Sequence, residues 1–166
     1  SIRQLSDKNL QQFIAELLQQ YSLPAHLLEL EVTESCLQGE LIHINCLEQL
    51  ESLGIPISID DFGTSYSCLS SLKNLPIKRL KIDQSFVKGI PYDNNDCAIA
   101  AAILALAQKL NLRVIAEGIE TLDQANFLTN LGCDELQGYL LSKPVTPQQI
   151  PDLIRQLPIH LETLKL

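Results

Sequence analysis

Carboxylates gather where the apolar runs of this chain stop. Glu31, Thr33 and Glu34 end the run that starts at Leu27, Asp60 and Asp61 end the one from Ile55, Lys81 and Asp83 end the one from Ile77, and Glu117 follows Leu112–Ala116. Gln137 falls within a fifth run, Glu135–Leu141. Several acids in one concavity repel one another and resist desolvation, so a fold with nothing to bind there would rarely keep them. A divalent cation removes that objection. Carboxylates are hard oxygen donors suited to Mg2+ or Mn2+, and two such ions about 3.5–4 Å apart can activate water and steady phosphoryl oxygens during in-line displacement.

The details of spacing refine this chemistry. Asp60 and Asp61 would point to opposite faces of a regular strand, so a shared role needs the backbone to bend after Ile59, which the following Phe62-Gly63 favours. Lys81 and Asp83 fall on one strand face, with Leu80 and Ile82 on the other. An ammonium beside carboxylates can orient water or offset developing negative charge, or act only as an ion-pair partner. Glu117 and Glu120 bracket a Gly-Ile turn, and Glu120 could equally serve the start of the next helix. His26, His43 and His160 share no ligand spacing, Cys36 and Cys68 have no base beside them, and the glycine segments match neither the dinucleotide-binding nor the P-loop pattern.

The elements that must position these groups alternate. Helical periodicity runs from Asp7 to Tyr21 with Ser6 as a possible cap; strand Leu27–Thr33 follows, then helix Ile42–Leu53 and strand Ile55–Asp60. A short helix through Leu69, Leu72 and Leu75 precedes strand Ile77–Ile82, helix Asp96–Leu110 and strand Leu112–Ala116. Thr121 and Gln124 form a capping box for a helix that stops at Gly132; strand Glu135–Leu141 then carries Gly138, a mark of close backbone approach. Thr146 to Gln149 open a last helix with Pro147 at its first position, expected to end before Pro158. Alternation with short connections predicts an α/β chain with about five mainly parallel strands covered by helices. A doubly wound sheet and an incomplete (β/α)8 TIM-like barrel both fit; a whole barrel needs about 250 residues, so on the second reading about three strand units lie upstream.

Composition bounds the rest. The chain has 166 residues and a formal net charge of -8, one domain's worth, with no Lys/Arg cluster of the kind that DNA or RNA backbone binding needs. Five cysteines without CxxC spacing read as free thiols of a reducing, cytoplasmic compartment, although a larger parent could be membrane-anchored. Methionine is absent even at position 1, so the chain is expected to be an excised piece of a longer protein.

Five ordered motifs, Glu31-Val32-Thr33-Glu34-Ser35, Ile59 to Tyr66, Leu80 to Asp83, Ala116 to Thr121, and Gln137-Gly138-Tyr139 through Ser142-Lys143-Pro144, together resemble the EAL domain, the cyclic di-GMP phosphodiesterase. The resemblance implies a TIM-like barrel of which residues 1–166 are the C-terminal two-thirds, and hydrolysis of cyclic di-GMP to linear pGpG with Mg2+ or Mn2+. It implies that Glu31, Asp60, Asp61 and Glu117 are metal ligands, with Asp60 bridging two ions. Lys81 would hold or polarise the catalytic water, with Asp61 and Glu31 beside it. Glu34 would anchor the loop around Phe62–Ser67, and Asp83, Glu120 and Gln137 would support the loop or substrate. A homodimer and an N-terminal sensory or GGDEF-like domain are the implied partners.

Two departures bear on activity. The Glu-Ala-Leu strand, its arginine and an asparagine ligand would lie before Ser1, so residues 1–166 alone are expected to show little hydrolysis. Ser65 stands where the family usually has glycine, which keeps a non-catalytic nucleotide receptor as an alternative, beside a protein-interaction module; an enolase-like barrel would abstract a carbon-bound proton instead.

Overall fold

In the computed structural model, which describes residues 1–37, 41–64 and 72–164, five strands alternate with helices. They are β1 (Leu30–Thr33), β2 (Ile57–Phe62), β3 (Arg79–Ile82), β4 (Arg113–Ala116) and β5 (Glu135–Leu136), and they form one sheet in the order β1-β2-β3-β4-β5. Helices bounded within the described residues are α1 (Ile2–Leu5), α2 (Leu10–Gln20), α3 (Leu41–Ser52), α4 (Asn94–Lys109), α5 (Leu122–Asn130) and α6 (Ile150–Leu164). Sequential order and parallel pairing are what helical crossovers between strands produce, and the α/β expectation holds.

Two compact units divide the chain, Ser1–Lys81 with Leu110–Leu112, and Ile82–Lys109 with Arg113–Leu166. In the first, β1 and β2 run parallel with Glu31 opposite Ser58 and Thr33 opposite Asp60. Ile57, Ser58 and Ile59 are all buried, so β2 is covered on both faces, as parallel strands generally are. Leu47 and Leu50 of α3 are buried as well. In the second unit β4 and β5 are parallel, and α4 packs on β4 and on the turn Gln84–Phe86. Ala100, Leu104 and Ala107 of α4 and Val114 and Ala116 of β4 are almost wholly enclosed.

Boundaries moved where backbone chemistry overrode periodicity. Ala25–Leu27 form a 3-10 turn, so β1 starts only at Leu30. β5 stops at Leu136, which puts Gln137 just past a strand instead of within it. Asn9, not Ser6, stands at the N-terminal boundary of α2, without a side-chain cap bond, and the Asp7 carboxylate accepts the Asn9 N–H at 2.9 Å. Of the expected apolar stripe on α2 only Ile14 is buried; α2 packs against α3, leaving Phe13 and Leu17 exposed. α6 continues through Pro158 to Leu164: a proline removes one backbone donor but need not end a helix. Leu69 of the expected short helix, with Ser65 and Cys68, lies outside the described residues.

No helix among the described residues is long and apolar enough to cross a membrane. Cys36, Cys46, Cys97 and Cys133 are free thiols, in line with the sequence expectation. Burial pushes the Cys133 thiol up to about 11, and burial also raises Cys46. A higher thiol pKa means less thiolate at pH 8, and thiolate is the reactive species. Cys133 in the folded protein should therefore react with iodoacetamide about 100-fold more slowly than after urea unfolding. Quantitative mass spectrometry of the labelled peptide reads this; equal rates would contradict the burial.

Candidate functional site

The first unit assembles its polar groups around Lys81. β3 carries Leu80, Lys81 and Ile82, all buried, so the Lys81 stem is enclosed and its head group must find polar partners. Its partners include Glu31 of β1, with Nζ 2.8 Å from Oε1, and Asp60 of β2, with Nζ 3.1 Å from Oδ1. The lysine side chain is 5% exposed, whereas those of Glu31 and Asp60 are 52% and 24% exposed. A buried cation thus faces two carboxylates that open toward solvent.

The bend expected between the adjacent aspartates is present. Asp61 has φ +54, a conformation L residues other than Asn and Asp seldom adopt. Asp60 Oδ1 accepts the Asp61 N–H at 3.1 Å, which helps hold the turned peptide. With the strand alternation broken, a carboxylate oxygen of Asp60 and one of Asp61 lie within 4.8 Å of each other. Glu34, buried within a 3-10 turn after β1, accepts the Gly63 N–H at 3.1 Å through Oε2. Its Oε1 has no hydrogen-bond partner among the described residues. Glu34 thus meets the backbone at Gly63, just past β2; residues 65–71, Ser65 included, are outside the described residues.

The second unit places its candidates at the ends of its own strands. β3 ends at Ile82, as expected, and Asp83 just past it caps the next turn, accepting the Ser85 N–H at 2.9 Å, because a carboxylate readily satisfies the free amides of a helical turn. Glu117 follows β4 and donates its N–H to Ile82 O at 3.1 Å. Glu120 is exposed, and Gln137 is exposed just beyond β5.

Between Glu117 and Glu120 the backbone is tightly confined. Gly118 has φ +71, and a Cβ there would sit 2.6 Å from Gln84 Cβ. A Cβ on Gly138 would sit 2.2 Å from Ile119 O, so the close approach expected at Gly138 is present. Gln124 was legible in the sequence only as half of a capping box. The structure buries it and gives its side chain bonds to Val87 O at 3.2 Å and Lys88 O at 3.4 Å, partners too distant in sequence for spacing to reveal.

Residues 1–144 match the family model described as EAL domain. The bifunctional diguanylate cyclase/cyclic di-GMP phosphodiesterase MucR of Pseudomonas aeruginosa is 50% identical over 128 residues, covering 76% of this chain and 18% of MucR. The solved PaMucR phosphodiesterase in complex with cyclic di-GMP superposes with a TM-score of 0.86 at 45% identity, covering 90% of this chain and 61% of that one. The manganese and cyclic di-GMP complex of Klebsiella pneumoniae BlrP1 gives a TM-score of 0.77 at 29% identity, covering 83% of this chain and 36% of that one. The chain spans about a fifth of the length of the curated relatives it matches.

Lys81 offers a direct test of the charge balance. Lys81→Met removes the ammonium and leaves Glu31 and Asp60 without it, a loss of about 1–3 kcal/mol once the exposure of the acids is discounted. Urea unfolding at low salt should show the lower midpoint, and added salt should narrow the difference from the unmodified protein. An unchanged midpoint would mean that the pair carries no stabilisation.

Proposed function

The chain belongs to the EAL domain family, and from that membership we propose that in its whole protein it hydrolyses one phosphodiester of cyclic di-GMP to give linear pGpG. The observation that carries this proposal is the buried Lys81 ammonium held by Glu31 of β1 and Asp60 of β2. That geometry is a carboxylate set with a demand for positive charge. The donor set fits Mg2+ or Mn2+, since carboxylate oxygens are the ligands these ions prefer. The manganese complex of BlrP1 supports the same choice.

Glu31, Asp60, Asp61 and Glu117 are the residues we assign to the metals. Bound there, the ions would lower the pKa of water and neutralise charge on the phosphoryl oxygens. Lys81 orients Glu31 and Asp60, and we assign to it the holding or polarising of the attacking water. Glu31 and Asp61 border the position of that water. Glu34 fixes Gly63, while Asp83, Glu120 and Gln137 support the substrate or the turns beside it. We assign the chain to part of one EAL-type barrel, acting as a homodimer; a diguanylate-cyclase-like neighbour is favoured by the name of MucR.

The full-length protein, incubated with cyclic di-GMP and MnCl2, should produce pGpG, stop with EDTA and resume with added Mn2+. Lys81→Met should lower kcat by about 10²–10⁴-fold, and Asp60→Asn should abolish Mn2+ binding measured by calorimetry. Nucleotide binding without product in the unmodified protein would make the domain a receptor, and neither binding nor product would leave an interaction module. Either result would overturn the hydrolase proposal.

A further inference from the structure

We propose that Gln124 is a positioning residue: its carboxamide ties the turn carrying Glu117 and Glu120 to the backbone of Val87 and Lys88. The inference rests on the roles assigned above to those two glutamates. Its geometric basis stands apart from them.

Gln124 is 5% exposed. Its Oε1 accepts the N–H groups of Glu120 at 2.9 Å and Thr121 at 3.0 Å, and its Nε2 donates to Val87 O at 3.2 Å and Lys88 O at 3.4 Å. A carboxamide has two acceptor lone pairs and two donor hydrogens, so all four are used. A capping box needs only the bond to Thr121; the other three join two turns that sequence separates by more than 30 residues. The same turns meet where Gly118 faces Gln84. Gln137 O accepts the Ile119 N–H at 3.0 Å, and Ile119 O accepts the Leu140 N–H at 2.9 Å. Gln124 is thus a side-chain strut of this turn, and it forms part of the wall of a cavity of about 360 Å³ bordered by Gln84, Lys88 and Glu120. Groups one step behind metal-binding or substrate-binding side chains orient them, and their loss typically costs 10–100-fold in metal affinity.

Two variants of the full-length protein separate positioning from helix capping. Gln124→Met keeps the volume and loses all four bonds; Thr121→Ala loses only the bond from the Gln124 N–H to Thr121 Oγ1, 3.3 Å long. Gln124→Met should raise the Mn2+ concentration for half-maximal hydrolysis about tenfold and speed amide exchange in the peptide spanning residues 117–121. Thr121→Ala should lower the Tm and leave the Mn2+ dependence unchanged. Equal Mn2+ shifts in the two variants, or none in a folded Gln124→Met protein, would overturn the inference. If Gln124→Met does not fold, exchange in the unmodified protein decides: the Glu120 amide should be protected although its residue is exposed, and rapid exchange would refute the strut. Because exchange is read without substrate, a protein that fails to hydrolyse cyclic di-GMP would defeat the functional proposal and still report on Gln124.

Discussion

An ammonium enclosed by protein and facing two carboxylates is stable only while all three charges stay together. Desolvating Lys81 alone would cost several kcal/mol, and leaving Glu31 and Asp60 side by side without a cation would set like charges against each other. The pairings at 2.8 and 3.1 Å answer both problems. They also dictate local structure: β1, β2 and β3 must be hydrogen-bonded neighbours for three side chains so far apart in sequence to meet, while the neighbouring positions Val32, Ile59, Leu80 and Ile82, which alternate to the other face of their strands, are buried as well. A centre that already balances carboxylates with one cation is chemically suited to others.

The second unit solves a different problem, which is how to fix acidic side chains on a short turn. Glu117 and Glu120 are separated by two residues, and a turn this brief has few backbone bonds of its own. Constraint comes from outside it: the Gly118 approach to Gln84, the Gly138 approach to Ile119, and the Gln124 carboxamide. At Gly118 and Gly138 any side chain would meet other atoms at 2.6 and 2.2 Å, so these contacts tolerate nothing larger than hydrogen.

Much of the fold was legible residue by residue. Apolar runs ending in acids located four strands near their observed places, and the Thr121–Gln124 box located the start of α5. One error fell where a polar group captured the backbone: the Asp7 carboxylate takes the Asn9 N–H, and α2 starts after Asn9, not after the expected cap at Ser6. The length of β5 was overread because Glu135–Leu141 has strand-like composition, yet beyond Leu136 the backbone serves the Ile119 turn.

The amino-acid sequence by itself determined the α/β alternation, the acidic character of the strand ends and the family, because periodicity, residue type and motif order are properties of the linear chain. Tertiary structure decided that Lys81 lies between Glu31 and Asp60, that Asp61 turns through a positive φ, and that Gln124 reaches Val87 and Lys88. The physical reason is range. Helix and strand signals arise from neighbours a few residues apart, whereas an ion pair or a buried carboxamide is satisfied by whichever groups folding brings within 3 Å or so, and spacing along the chain carries no record of that.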